Sequence, residues 1–193
     1  MSETADLNPI LARRTPDQIL GPFFPVTQAP DTSGDLTRGG RAQGTILYLS
    51  GRVTNLAGEA VAGARMEIWQ ANAHGKYLHP NDDNSAPIDP NFAGFALIFT
   101  GSDGSYAIKT VRPKAYPTSP TTVRPAHIHF RVTGAFEQFV TQMYFQGDPW
   151  NDQDPFLQSA RRKEALIVDP HPAPPPAEPG AEAASFDIVL VRG

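Results

Sequence analysis

The sequence contains no cysteine. Disulfide frameworks, zinc–thiolate sites, iron–sulfur clusters and cysteine nucleophiles are therefore excluded, because each of them needs a thiol. A tightly bound metal ion would have to use histidine, tyrosine or carboxylate ligands. Basic residues are also in deficit, with 16 lysines and arginines against 20 acidic residues and a formal net charge of −4. This balance argues against a nucleic-acid partner, since such proteins need a basic surplus to neutralise phosphates.

Long apolar runs are missing as well. No segment of the sequence approaches the ~18 continuous apolar residues of a membrane-spanning helix, so we expect no membrane partner. The N-terminal sequence MSETADLNPILARR lacks the apolar stretch of ~7–15 residues that a secretory signal needs. The sequence therefore predicts a cytoplasmic protein.

The chain is rich in the two residues that interrupt helices, with 20 prolines and 16 glycines. One short helix candidate remains, over 155–168. Roughly seven or eight short apolar segments are separated by turn signals, which is typical of an all-β protein built as an antiparallel sandwich or barrel. These segments include 46–53, 64–69, 92–100, 106–108, 126–132, 139–145 and 186–190.

The first 45 residues differ from the rest of the chain, since they carry no sustained apolar period and contain five prolines. We expect residues 1–45 to form an extended arm that packs on the core or on a neighbouring subunit, and residues 46–193 to form the folded domain. Within the arm, Thr15 followed by Pro16 predicts one helical turn. The proline-rich stretch 171–179 predicts a surface loop.

Two histidines stand out in an apolar strand context. The two-residue period of a strand puts His127 and His129 on one face, where two imidazoles can chelate a metal ion. Imidazole suits zinc, copper, iron and nickel, and the same pair can also be two ordinary polar positions. Arg124 places a permanent cation close by. Tyr77 and Tyr116 lie in loops dense with turn residues, a placement that favours exposure toward a cavity over burial in the middle of a strand.

These residues carry a family resemblance. The string Arg-Pro-Ala-His-Ile-His-Phe at 124–130, with the two loop tyrosines upstream of it, resembles the intradiol catechol dioxygenases, especially the protocatechuate 3,4-dioxygenase type. The order and approximate spacing of the family's motifs fit from about residue 17 to 190. Other matching segments are 18–24, 51–53, 67–72, 75–77, 89–92, 103–106, 112–117 and 141–149.

The resemblance implies a prealbumin-like β-sandwich and an enzyme that uses O2 to cleave a catechol-type ring between its two hydroxylated carbons. The product would be a cis,cis-muconate-type diacid. One non-haem Fe(III) per chain would be bound by Tyr77, Tyr116, His127 and His129, together with hydroxide or water. Tyr116 would be the ligand that gives way to the substrate.

The resemblance also implies roles for neighbouring residues. Arg124 would stabilise the negative charge that develops on the ring, and Gln142 would orient a histidine or contact the intermediate. Phe156, Thr118 and Pro22 would line the substrate pocket. Position 118 departs from the family, which commonly has Pro-Gly-Pro-Tyr-Pro-Trp where this sequence has Pro-Lys-Ala-Tyr-Pro-Thr, so we expect an altered pocket beside the tyrosine.

The chain lacks the helical N-terminal dimerisation domain that is typical of catechol 1,2-dioxygenases, and it also lacks the long arm of the protocatechuate beta subunit. We therefore expect a homo-oligomer in which residues 16–25 line a pocket of their own or of a neighbouring subunit.

Two alternative functions stay open. A non-catalytic prealbumin-like binding module would explain the segments 51–69 and 103–106, but it would leave the loop tyrosines and the histidine pair unexplained. A zinc or ferrous enzyme would use the histidine pair with a carboxylate such as Asp103 or Asp148. That arrangement would leave both tyrosines idle.

Overall fold

The computed structural model describes residues 11–193, so the first ten residues of the predicted arm lie outside the described residues. Within the described range, twelve strands alternate with one α-helix and three short 3₁₀ segments. The strands are β1 Ile46–Asn55, β2 Arg65–Gln70, β3 Phe95–Phe99, β4 Ser105–Val111, β5 Tyr116–Ser119, β6 Thr122–Arg124, β7 His127–Thr133, β8 Gln138–Phe145, β9 Ile167–Val168, β10 His171–Pro172, β11 Glu182–Ser185 and β12 Ile188–Leu190. The helix α1 spans Pro155–Ser159, and the 3₁₀ segments span Leu11–Arg13, Asn151–Gln153 and Lys163–Leu166.

Most strands belong to two sheets. The first has the order β10-β11-β1-β12, with β4 also paired to β1, and the second has the order β3-β2-β7-β8-β9, while β5 and β6 form a separate hairpin. The predicted all-β sandwich is confirmed, and its sheets are mixed: β1 pairs in parallel with β11 and β12, and β8 pairs in parallel with β9. Strand direction is not visible in the sequence, because side chains alternate in the same way in either direction.

The strand β7 shows how alternation builds the core. Ile128, Phe130 and Val132 are fully buried on the face that packs toward the other sheet. His127 and His129 lie on the opposite face, yet each is only 2% exposed. Strands in antiparallel sheets commonly leave one face in water. The outer face of this sheet must therefore be covered by another part of the chain.

Residues 15–18 run beside β12 of the first sheet and β8 of the second. The Thr15 amide donates to the Val189 carbonyl at 3.1 Å, and the Gln18 amide donates to the Val140 carbonyl at 3.0 Å. The predicted helical turn at Thr15 is wrong, because the Thr15 hydroxyl accepts from the Val189 amide instead of capping a helix. The nearest helical residues, Leu11–Arg13, end before it.

The predicted helix over 155–168 is wrong in its length. The helix α1 ends at Ser159, and Arg162 adopts a left-handed backbone conformation with φ of 57°. Ile167 and Val168 then pair with β8 as strand β9. Sheet pairing here prevails over local helix preference, which is only a weak determinant of structure.

The proline-rich segment begins as the strand β10, which pairs with β11. Farther along, Glu178 fastens the segment to the first sheet, since it accepts a hydrogen bond from the Tyr48 hydroxyl at 2.6 Å and forms an ion pair with Lys109. None of the helices in the described part of the chain has the length and apolar character needed to cross a membrane.

We predict that Gly51→Ala lowers the free energy of unfolding by about 3 kcal/mol, because a Cβ at this position would lie 2.0 Å from the carbonyl oxygen of Phe186, between β11 and β12. Gly134→Ala is the matched control, since its Cβ would meet neighbours at ordinary distances of 3.5–3.6 Å. Denaturant unfolding of both variants tests the prediction. Equal stability of the two variants would contradict it.

Candidate metal centre

The outer face of the second sheet places polar and aromatic side chains in rows. Trp69 on β2 and Gln142 on β8 lie opposite His129, and Tyr144 on β8 lies opposite His127. The Trp69 indole stacks on the His129 ring with 4.7 Å between centroids and 9° between planes. Strand register therefore determines the positions of both imidazoles.

Tyr77 reaches this face from the loop between β2 and β3. The Asn72 side chain closes a tight turn by accepting from the amides of His74 and Lys76. Asp82 then accepts from the Tyr77 amide at 2.7 Å. These side-chain contacts hold the tyrosine in a loop that has no strand pairing of its own.

Tyr116 arrives on the hairpin of β5 and β6. It is the first residue of β5 and pairs with Arg124, the last residue of β6. Pro125 and Ala126 then lead directly into β7. The hairpin thus places Tyr116, Arg124 and His127 close to one another.

The four predicted ligands lie together in the structure. His127 Nε2 is 3.1 Å from His129 Nε2 and 3.4 Å from the Tyr77 hydroxyl. The rings of Tyr77 and Tyr116 meet edge to face, with 5.4 Å between centroids. All four side chains are at least 95% buried. Two nitrogen and two oxygen donors thus share a site that is shielded from water.

Without a metal ion, burial keeps these four groups neutral. Burial and the nearby Arg124 charge lower the pKa of His127 to about 3, and burial together with the His127 charge lowers the pKa of His129 well below its usual value. Burial raises the pKa of Tyr77 well above its usual value and also raises the pKa of Tyr116. A bound cation would reverse this preference for the phenols by favouring their ionised form.

The hydrogen bond made by Nδ1 of His127 orients its other ring nitrogen, Nε2, toward the site. The Pro125 carbonyl can only accept, so His127 Nδ1 donates to it across 2.7 Å. The Nε2 lone pair of His127 then faces His129 Nε2, and the two nitrogens can share a proton or a metal ion. An imidazole whose other nitrogen is held by a backbone carbonyl is typical of metal-binding histidines.

Arg124 lies beside the four donors in a buried network. Its Nε donates to Asp154 at 2.6 Å, and its Nη2 donates to the Gln142 side-chain oxygen at 2.8 Å and to the Tyr144 hydroxyl at 3.0 Å. The Phe156 ring lies 4.7 Å from the guanidinium carbon. The structure thus brings three of the predicted residues together with two that the sequence analysis did not assign to the site, Asp154 and Tyr144.

Similarity to known proteins identifies the family of this chain. The Dioxygenase_C family, described as "Dioxygenase", matches residues 19–192. The chain belongs to the intradiol dioxygenase family. It is 36% identical over 165 residues to a protocatechuate 3,4-dioxygenase beta chain of Burkholderia cepacia, which covers 83% of this chain and 70% of that protein. The predicted family is thereby confirmed.

Two further similar proteins show what share of a relative's length this intradiol dioxygenase chain covers. It is 31% identical to a hydroxyquinol 1,2-dioxygenase of a Rhizobium strain, covering 78% of this chain and 53% of that protein. A solved structure of the dioxygenase domain from a dioxygenase–carbohydrate-binding fusion of Streptomyces sp. SirexAA-E superposes with a TM-score of 0.72 at 29% identity, covering 93% of this chain and 99% of that one. The chain therefore spans about half of the hydroxyquinol enzyme and nearly all of the fusion's dioxygenase domain.

The arm covers the donor cluster of this intradiol dioxygenase chain. The Phe23 ring lies 4.7 Å from the Tyr77 ring, and the Phe24 ring packs edge-on against Trp69 at 5.0 Å. Gly21 lies directly on His129, where a Cβ would be 3.1 Å from its Cε1 atom. The motif match predicts that residues 16–25 line a pocket, but it names only Pro22 as a substrate contact and gives Gly21, Phe23 and Phe24 no individual roles. Isolated apolar residues in an aperiodic arm carry no signal that shows what they cover.

Two of the predicted pocket residues do not join the buried cluster. Pro22 is exposed between two residues that do join it, and Thr118 is exposed on the β5–β6 hairpin, where its hydroxyl lies 3.4 Å from the Thr122 carbonyl oxygen. The histidines beside Tyr77 also lie outside the cluster. His74 is hydrogen-bonded to the side chain of Gln43, and the His79 ring lies tilted at 5.7 Å from the Phe23 ring.

The alternative site with two histidines and a carboxylate lacks its carboxylate. Asp148 accepts from the amides of Ala126 and Trp150, and Asp103 accepts from Ser105 in the turn between β3 and β4. Across residues 11–193, no group of three or more His, Asp or Glu side chains is arranged to hold a metal ion. The side chains of Tyr77 and Tyr116 lie beside His127 instead.

We predict that the chelator-treated protein loses stability as the pH falls from 7 to 5. Since the folded-state pKa of His127 is depressed, the unfolded chain takes up more protons below about 6.5 than the folded one, and this loss of stability continues down to about pH 3. The contribution of His127 between pH 7 and pH 5 is about 2 kcal/mol. Denaturant unfolding at both pH values measures it.

The matched variants are His127→Gln and His171→Gln. The first removes the buried imidazole and should show a pH-dependent loss smaller by about 2 kcal/mol. The second removes an exposed imidazole and should lose as much stability between pH 7 and pH 5 as the original protein does. Identical pH profiles for the two variants would contradict the prediction.

Proposed function

We propose that this chain is a non-haem Fe(III)-dependent intradiol dioxygenase that cleaves a catechol-type ring between its two hydroxylated carbons with O2, giving a cis,cis-muconate-type diacid. The observation that carries the proposal is the convergence of two imidazoles and two phenols beside a buried arginine. The binding-module alternative does not account for this convergence, and the ring-cleaving dioxygenases among the relatives favour an enzyme.

The donor chemistry fits ferric iron. Tyr77, Tyr116, His127 and His129 would hold one Fe(III) per chain, with hydroxide or water completing the set. Two tyrosinates and a hydroxide would offset three positive charges, so the buried site would be neutral. Hard phenolate oxygens favour ferric iron over softer ions. The bound Fe(III) would supply a Lewis acid that takes both catechol oxygens and withdraws electron density from the ring.

The residues around the site would manage protons and charge. The Tyr116 oxygen would accept one proton from a catechol hydroxyl as the substrate binds, while Tyr77 would remain in place. The Arg124 guanidinium would stabilise negative charge that develops on the ring, and it would do so without reorganising, since it is already fixed by hydrogen bonds. Gln142 would orient that guanidinium through its side-chain oxygen, and its amide nitrogen donates to the Ile19 carbonyl of the arm at 2.7 Å.

The proposed substrate pocket lies beside Arg124, with Phe156 as an apolar wall and Pro22 and Thr118 at its exposed rim. Thr118 stands where the family commonly has tryptophan, and this change favours a substituent pattern other than that of protocatechuate. The homo-oligomer, the cytoplasmic location and contacts of the 1–45 arm with a neighbouring subunit stay predictions from the sequence.

We predict that the aerobically purified protein is burgundy, with a broad tyrosinate-to-iron(III) absorption band and close to one iron per chain. Tyr77→Phe should shift and weaken the band and lower kcat/KM by at least about 100-fold, because it removes one of the two phenolate ligands. Tyr48→Phe is the control, since Tyr48 lies on the first sheet, where its hydroxyl contacts Glu178. Visible spectra, iron analysis and product assays measure these effects.

The substrate panel consists of catechol, protocatechuate, hydroxyquinol, and alkyl- and halo-catechols. Muconate-type products from at least one of them would support the proposal. A protein that stays colourless after loading with iron, or that opens none of these rings, would refute it.

A further inference from the structure

We propose that Asp154 is a positioning residue for ring cleavage, which holds the Arg124 guanidinium so that its free Nη1 edge faces the catechol. The inference rests on the proposed function and deepens it, since it names the group that makes the arginine an oriented cation.

The hydrogen bonds of Arg124 leave one edge available. Of its five N–H groups, the one on Nε donates to Asp154, and those on Nη2 are directed to Gln142 and Tyr144. Among residues 11–193, no protein group accepts from Nη1. The two N–H groups on Nη1 are therefore the donors that remain for a substrate.

Asp154 is the anion that fixes the orientation of the Arg124 guanidinium. It is 1% exposed and forms the ion pair of Arg124 in the described part of the chain. Gln142 and Tyr144 are uncharged, and they also bond to each other at 2.9 Å, so their oxygens can exchange partners. A planar guanidinium held at Nε by a carboxylate has a defined edge and a defined plane.

The carboxylate is itself held in place. Its second oxygen accepts from the Leu157 amide at 2.8 Å and so caps the helix α1, in which Leu157 is fully buried. Phe156, the second residue of the same helix, lies against the guanidinium face. The start of α1 thus contacts Arg124 at one edge and on one face.

The test compares Asp154→Asn with the matched control Asp152→Asn, which removes an exposed acid two positions earlier. Asp154→Asn should lower kcat for the best catechol by about 100-fold with KM nearly unchanged, because a small misplacement of an oriented group affects the transition state most. The iron content and the visible band should stay as in the original protein, since Asp154 contacts none of the four donors. Asp152→Asn should keep full activity.

A double-mutant cycle separates positioning from a purely structural role. In an Arg124→Gln background, Asp154→Asn should change kcat by less than about 3-fold, because the group it positions is gone. Asp154→Ser, which keeps the helix cap but cannot reach the arginine, repeats the comparison if Asp154→Asn fails to fold.

Two results would overturn the inference while the proposed function stands: full activity in Asp154→Asn, or an equal loss of kcat in both backgrounds. If the original protein itself cleaves no catechol, the proposed function fails and this inference fails with it.

Discussion

Strand β7 is buried on both of its faces, and the rest of the site depends on this constraint. Its inner face packs into the sandwich core through Ile128 and Phe130, while its outer face carries two imidazoles that the arm seals from water. A histidine on an open sheet face would be hydrated and free to take up a proton. Enclosure by aromatic rings turns the same residues into neutral nitrogen donors, because burial disfavours the protonated imidazole.

Charge neutrality explains the composition of the buried site. Burying a single charge is costly, so the arginine beside the donors is paired with a carboxylate, and the phenols and imidazoles stay uncharged while no cation is bound. In the proposed holoenzyme, the added cation would be balanced by the phenols as they ionise. Neutral donors that can become anions are therefore suited to a buried site that has to accept a metal ion.

Much of the site could be predicted because its signals are local. The spacing of His127 and His129 puts them on one face of any strand, and the resemblance supplied the two tyrosines by their motifs. The contacts of Asp154 with Arg124 and of Phe23 with Tyr77 could not be predicted, because neither depends on a local signal. Asp154 precedes a proline in a pattern that indicates only a helix cap, and its arginine partner is 30 residues away. Phe23 lies in an aperiodic arm, where nothing local shows which surface it covers.

The sequence by itself determined that the protein is built from short strands and that thiol chemistry is excluded, and its family resemblance predicted four side chains as iron ligands. These properties follow from composition, from a two-residue period and from motifs a few residues long. Only the tertiary structure decided that β1 and β8 take parallel partners, that the predicted helix is cut short, and that Nη1 of Arg124 has no acceptor among residues 11–193. Each of these depends on contacts between residues far apart in the chain, and such contacts are determined by packing and register rather than by local preference.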